Sequence, residues 1–176
     1  MKKVYSVLIA LGVLTLVASE AGAAEAKPAY PSWSKQINTT NRFTVLKAFG
    51  GAAVLDNETG LVWEQSPSAS TPTWLDAQIH CTILTVGNRK GWRLSTIQEL
   101  ASLVDPNAAG APFLPAGHPF TNVQSSFNYY WSATTTARNT SLAWVVDFNT
   151  GIVGDVDKSN NHFAWCVRGG QGVDLQ

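Results

Sequence analysis

The chain has 176 residues, 45% of them hydrophobic and 14% charged, with seven Trp and seven Phe. Twelve basic residues against twelve acidic ones leave no net charge, which excludes the concentrated basic footprint that nucleic acid requires. A chain of this size buries one sizeable core, and large aromatic side chains either fill such a core or line a binding surface.

In chain order, Met1-Lys2-Lys3 precedes an apolar stretch from Val4 to Ala18 and small residues ending at Ala21-Gly22-Ala23-Ala24. A charged start, a short apolar middle and small residues before a cut read as a signal peptide over 1–24. The apolar stretch falls short of the roughly 20 residues that span a bilayer. The protein is therefore expected to be secreted, periplasmic or at the cell surface, with no membrane insertion after cleavage. Residues 25–41, with Pro28 and Pro31, read as an extended leader that packs only through Tyr30 and Trp33. A domain over 42–171 and a tail over 172–176 complete the expected organisation.

Phe43, Val45 and Ala53-Val54-Leu55 are strand-like, and Leu61-Val62-Trp63 follows the hairpin loop Asp56-Asn57-Glu58-Thr59-Gly60, where Gly accepts positive φ. After a polar connection from Ser66 to Pro72, Thr73 caps a helix beginning at Trp74. Trp74, Ala77 or Gln78, Cys81 and Leu84 recur on one face, so Cys81 points to the core. Trp92-Arg93-Leu94 is a short extended lead into a second helix, where Ser95 with Gln98, or Thr96 with Glu99, forms a capping box. Ile97, Leu100, Ala101 and Val104 follow at i, i+3, i+4 and i+7 until Asp105-Pro106-Asn107 stops the helix. From Pro106 to Asn128 no period of 2 or 3.6 residues is sustained, which predicts a long loop held down by Phe113, Leu114 and Phe120.

The last third predicts four strands, Tyr129 to Thr134, Leu142 to Phe148, Ile152 to Val156 and His162 to Arg168. Leu142, Trp144, Val146 and Phe148 share one face. Phe163, Trp165 and Val167 alternate with Cys166. Asn149-Thr150-Gly151 repeats the Asp-then-Thr-Gly pattern of 56–60, which predicts one hairpin chemistry used twice.

Cys81 and Cys166 are the chain's two cysteines. In an exported protein they are expected to pair with each other, constraining the unfolded chain by about 4–5 kcal/mol. His80, His118 and His162 show no zinc spacing, and His80 reads as structural or solvated. Asp155, Asp157, Ser159 and Asn160 or Asn161 offer oxygen ligands, but Asn160 and Cys166 stand where a calcium loop of the EF-hand kind needs Gly and Glu. A polar hairpin loop is the default there, and calcium is the one cofactor to consider. Arg89, Lys90 and Arg93 form a basic cluster in which Arg93 is expected to pair structurally. No nucleophile elbow or phosphate loop occurs, and the chain is not expected to be an enzyme.

Several landmarks occur together in order: Asp56-Asn57-x-Thr59-Gly60-Leu61-x-Trp63, Trp74, Cys81, Trp92-Arg93-Leu94 before Glu99-Leu100, Tyr130-Trp131-Ser132, Ala143-Trp144-x-Val146-Asp147-Phe148 and Cys166-Val167-Arg168-Gly169. This pattern over about residues 50 to 170 resembles the Lcl C-terminal domain family, named after a bacterial collagen-like adhesin. The resemblance implies an α+β fold similar to C-type lectins and formylglycine-generating enzymes, with two helices, a twisted antiparallel sheet and long ligand-bearing loops. It also implies a bridge from the first helix to the final strand. The adhesin's link to sulfated glycosaminoglycans carries over poorly, because Trp165 stands where Arg is common and no collagen repeat is present. Ser95 likewise replaces a common Pro.

The expected function is a lectin-like binding module for carbohydrate or another envelope or extracellular ligand. A structural or protein-interaction subunit of an envelope assembly is the alternative. Sugars stack on aromatic faces while amides and carboxylates take their hydroxyls. The candidate ligand residues are therefore Tyr129, Tyr130, Arg138, Asn139, Asp155, Asp157, Asn160 and Asn161. Trp63, Trp92, Trp131 and Trp144 are assigned to the core.

Overall fold

A computed structural model of the chain describes residues 39–126 and 128–169. The expected signal peptide, the leader as far as residue 38, and the tail lie outside them. The chain runs α1 (Thr39–Arg42), β1 (Phe43–Val45), a 3-10 turn (Lys47–Phe49), β2 (Ala53–Asp56), β3 (Val62–Glu64), α2 (Trp74–Ile83), β4 (Arg93–Leu94) and α3 (Ile97–Ala101). It continues through β5 (Tyr130–Thr135), β6 (Leu142–Asp147), β7 (Ile152–Asp157), β8 (Phe163–Ala164) and β9 (Cys166–Arg168). This is an α+β fold. The single antiparallel sheet of the expectation is instead two sheets, ordered β1-β2-β3-β9-β4 and β7-β6-β5-β8, and β8 joins β5 in parallel.

The two hairpins share their chemistry. Asp56 Oδ1 accepts the Glu58 N–H and its carbonyl accepts the Gly60 N–H at 2.7 Å; Asp147 does the same for Asn149 and Gly151. Both turns close on a glycine in the left-handed region, φ 75° at Gly60 and 73° at Gly151. At Gly151 an added Cβ would also come within 3.2 Å of Val104, so the turn packs against the segment that follows α3.

Of the two capping boxes, Thr96 with Glu99 forms, while Ser95 is buried and its carbonyl accepts the Ala133 N–H at 2.7 Å. The α3 helix ends at Ala101 rather than Val104. There the Ser102 hydroxyl donates to the Glu99 carbonyl, and the Leu103 and Val104 N–H groups reach only three residues back, which tightens the last turn. In α2, Thr73 caps and Ala77 and Cys81 face inward, as the spacing predicts.

The predicted last strand, His162 to Arg168, divides. Its first half (β8) pairs with β5, its second (β9) with β3 and β4, and Trp165 sits at the crossing with Nε1 donating to the Glu64 carbonyl at 3.0 Å. The alternation survives the change of partner. Phe163, Trp165 and Val167 enter one core cluster with Trp63, Tyr130 and Phe148, whereas Ala164 and Cys166 enter a second with Ala77, Cys81 and Trp131. Strand β6 separates the clusters, with Val146 on one side and Val145 on the other. Trp144, assigned to the core, is only half-buried, because the first cluster covers just the Val146 end of that face and Trp144 faces Asp155 in register.

Cys81 and Cys166 are bonded, with Cα atoms 5.4 Å apart, joining α2 to β9. At the other end the buried Asp56 takes two hydrogen bonds from Arg42, whose guanidinium also donates to the Ser102 carbonyl. That network gives α1 its place, whereas the sequence pattern assigns residues 39–41 to an extended leader. The long loop is sewn down as expected. Leu114 and Phe120 are buried, Phe113 N–H donates to the Phe148 carbonyl, and Thr121 N–H donates to the Gln65 carbonyl.

Candidate functional site

Strands β6 and β7 present one face outward where the second core cluster runs out. Asp147 pairs with Ile152, Val145 with Gly154 and Ala143 with Val156, so these positions share that face. Tyr129, just before β5, walls it off. The result is an open groove of about 220 Å³ lined by Tyr129, Val145, Asp147, Thr150, Ile152, Gly154, Asp155 and Val156. Nothing lies within 4 Å of a Cβ added at Gly154, so its missing side chain leaves the floor open.

Tyr129 is 36% exposed, and its ring packs against His162 with centroids 5.1 Å apart; His162 in turn packs against Trp131 at 4.9 Å. The His162 ring also hydrogen-bonds Asn128, and burial lowers its affinity for a proton. The imidazole, which burial biases toward its neutral form, thus backs the tyrosine ring. Asp147 accepts the Asn149 N–H on one oxygen and the Thr150 hydroxyl on the other, and each carboxylate oxygen keeps a further lone pair for a ligand donor.

Among the residues chosen from sequence, Tyr129 and Asp155 both line this groove, but Asp155 pairs with Trp144, on the other face of the sheet from Gly154 and Val156, and both its oxygens accept from Arg138 Nη2 at 2.7 and 2.6 Å. Asn139 is occupied in its own turn, accepting from the Ser141 N–H and hydroxyl. Tyr130 is a correction. It is fully buried in the aromatic core, its hydroxyl accepts the Gln124 N–H, and burial pushes its pKa up to about 12. Adjacent strand residues point to opposite faces, so only one tyrosine of the pair reaches the groove.

Asp157 lies at the far end of β7, where the Ser159 N–H and hydroxyl both donate to it and hold its carboxyl below the usual range. Asn160 and Asn161 are exposed beyond that turn. Asp155 and Asp157 thus stand on a strand rather than a loop, each with its own partners, and do not converge. The basic cluster also disperses. Arg93 is committed to Glu99 and to the Gly169 carbonyl, and Arg89 lies over the Phe49 ring at 4.9 Å. Burial pushes Glu99 up, but hydrogen bonds from Arg93 and Thr96 outweigh it and its pKa falls below the usual value.

Sequence reasoning missed Glu64. Only 6% exposed, it accepts the Cys166 N–H at 2.9 Å, and burial raises its pKa from 4.5 to about 7 despite that bond. The folded chain therefore holds a proton there that the unfolded chain loses near 4.5. The resulting stability is fully present below pH 4.5 and is lost as pH rises through 7, on the order of 2–3 kcal/mol by pH 8. Urea unfolding at pH 5 and pH 8 should show this loss, and Glu64→Gln should flatten it.

The fold and groove together define a class: an α+β domain bridged from helix to final strand, with an aromatic-walled groove open on its second sheet. The family model described as the Lcl C-terminal domain matches residues 52–168, two thirds of the chain, and the chain belongs to that family. A comparison with curated proteins returns no match. Among the described residues, no helix is long and apolar enough to cross a membrane.

Proposed function

We propose that the chain is an exported, lectin-like binding module that takes a carbohydrate in the groove between Tyr129 and β7. The arrangement of two sheets, two principal helices and a sewn-down loop is read as C-type-lectin-like. One observation carries the proposal: a part-exposed tyrosine, backed by a buried histidine, stands over a groove whose rim bears Asp147 and Thr150. An apolar ring face with hydroxyl-accepting groups around it is the usual chemistry of sugar binding. The ligand surface falls on β6 and β7, and none of the residues from Pro106 to Ser126 lines it. The test is a glycan array with the purified protein, run with and without calcium. Binding is expected, and Tyr129→Ala should weaken it by about tenfold or more, the loss of one stacking contact of roughly 1.5 kcal/mol. Absence of any glycan signal in both conditions removes the proposal.

A second reading, a protein-interaction subunit of an envelope assembly, draws on a different feature. Leu75, Ile79 and Ile83 form an exposed apolar stripe at i, i+4 and i+8 along α2. Under that reading, the glycan array stays blank and Ile79→Lys abolishes association with the partner subunit.

A further inference from the structure

The environment of the disulfide holds more donors than a structural bridge needs. Glu64, His80 and Cys166 each place a ligand atom within 4.8 Å of the other two. His80 Nε2 is buried and has no hydrogen-bond partner, an arrangement that costs free energy unless something else is bound there. Glu64 holds one oxygen on the Cys166 N–H, so its carboxyl is anchored beside the sulfur. While the bridge is closed, Cys166 has no thiolate to offer and only two good donors remain, fewer than zinc takes from protein in its usual sites.

We propose that reduction of the bridge converts Cys166, His80 and Glu64 into a buried zinc(II) site, so that the disulfide and the metal are alternative occupants of one position. Cys81, freed by the same reaction, lies beside them as a further thiol. A dithiol supplies the two electrons and two protons that turn the bridge into two thiols, and leaves as its own disulfide. Zinc then displaces the Cys166 thiol proton and the Glu64 carboxyl proton, and the His80 imidazole binds through Nε2. No further electron moves. Bonds of about 2.0–2.3 Å set donor-to-donor spacings near 3.5 Å around a tetrahedral ion, so closing in from 4.8 Å asks for roughly an ångström of side-chain movement.

The test uses cobalt(II), which reports its ligands by colour. Full-length protein is refolded under a phosphine, which keeps the thiols reduced, and titrated beside the oxidised protein. The reduced form is expected to bind one equivalent, with thiolate-to-cobalt charge transfer and the intense visible bands of tetrahedral geometry, and the oxidised form to show neither. His80→Ala and Glu64→Gln should each weaken binding about tenfold or more, and Cys81→Ser with Cys166→Ser should abolish the charge transfer. If the reduced chain stays unfolded until zinc is added, recovery of its tryptophan near-ultraviolet dichroism on zinc addition supports the site, and failure to recover counts against it. Equal binding by the oxidised protein, no binding at all, or binding indifferent to His80 and Glu64 overturns the proposal.

Discussion

Removing the Cys81–Cys166 bridge, by reduction or by Cys81→Ala with Cys166→Ala, is expected to lower stability by about 4–5 kcal/mol in the loop-entropy account. The residues stand 85 apart in sequence, so the open chain regains the freedom of a long loop. The bridge also fastens α2 to β9, and β9 is the central partner through which β4 reaches β3. Both half-cystines are fully buried, so each Ala adds a packing defect to the entropy gained by the unfolded chain. Equilibrium unfolding in urea with and without a phosphine measures the difference; a change below about 1 kcal/mol would mean that the bridge closes a loop already fixed by other contacts. A loss of this size is a large share of the stability of an ordinary domain.

Trp165→Ala is expected to cost about 3–5 kcal/mol, the range for deleting a large buried aromatic. Trp165 is fully buried and meets Phe120 at 4.9 Å, Phe148 at 5.6 Å, Tyr130 at 5.7 Å and Trp63 at 5.8 Å between ring centroids. It is also the residue at which the chain leaves one sheet for the other. Trp165→Phe should cost less, because it keeps most of the apolar contact and gives up the hydrogen bond from Nε1 to the Glu64 carbonyl. Thermal unfolding of the two variants separates packing from hydrogen bonding; equal losses would assign the whole effect to the indole N–H.

Much of the architecture is readable where local chemistry decides it. The Thr96 and Glu99 pair caps α3 because a hydroxyl and a carboxylate three residues apart satisfy each other's backbone donors whatever lies around them. The two Asp-to-Gly hairpins close by the same short-range bonds. Two-residue alternation sorts Phe163, Trp165 and Val167 from Cys166 correctly, since it reports which face a side chain takes. It carries no information about which strand lies alongside. For that reason one predicted strand becomes β8 and β9 in different sheets, and one expected sheet becomes two.

The candidate site divides along the same line. Tyr129 and Tyr130 are indistinguishable as aromatic neighbours until a pairing partner says which faces the core; the Val146 and Phe148 face, which Tyr130 joins, is the signal that separates them. Asp155 and Asp157 resemble a calcium loop because sequence shows two carboxylates close together, whereas β7 extends through both and gives each its own partner. Glu64 is invisible for another reason. Its partner, the Cys166 N–H, lies 102 residues away, and a lone carboxylate at a strand end ordinarily reads as exposed.

Backbone resonance mapping by nuclear magnetic resonance, with an array-positive glycan titrated into isotope-labelled protein, addresses ligand binding at the groove most directly. Shift changes are expected to cluster on Tyr129, Asp147, Thr150, Ile152 and Gly154, and to need about tenfold more glycan in Tyr129→Ala. Saturable changes confined to α2 or to the segment from Pro106 to Ser126, with the groove unmoved, would contradict it.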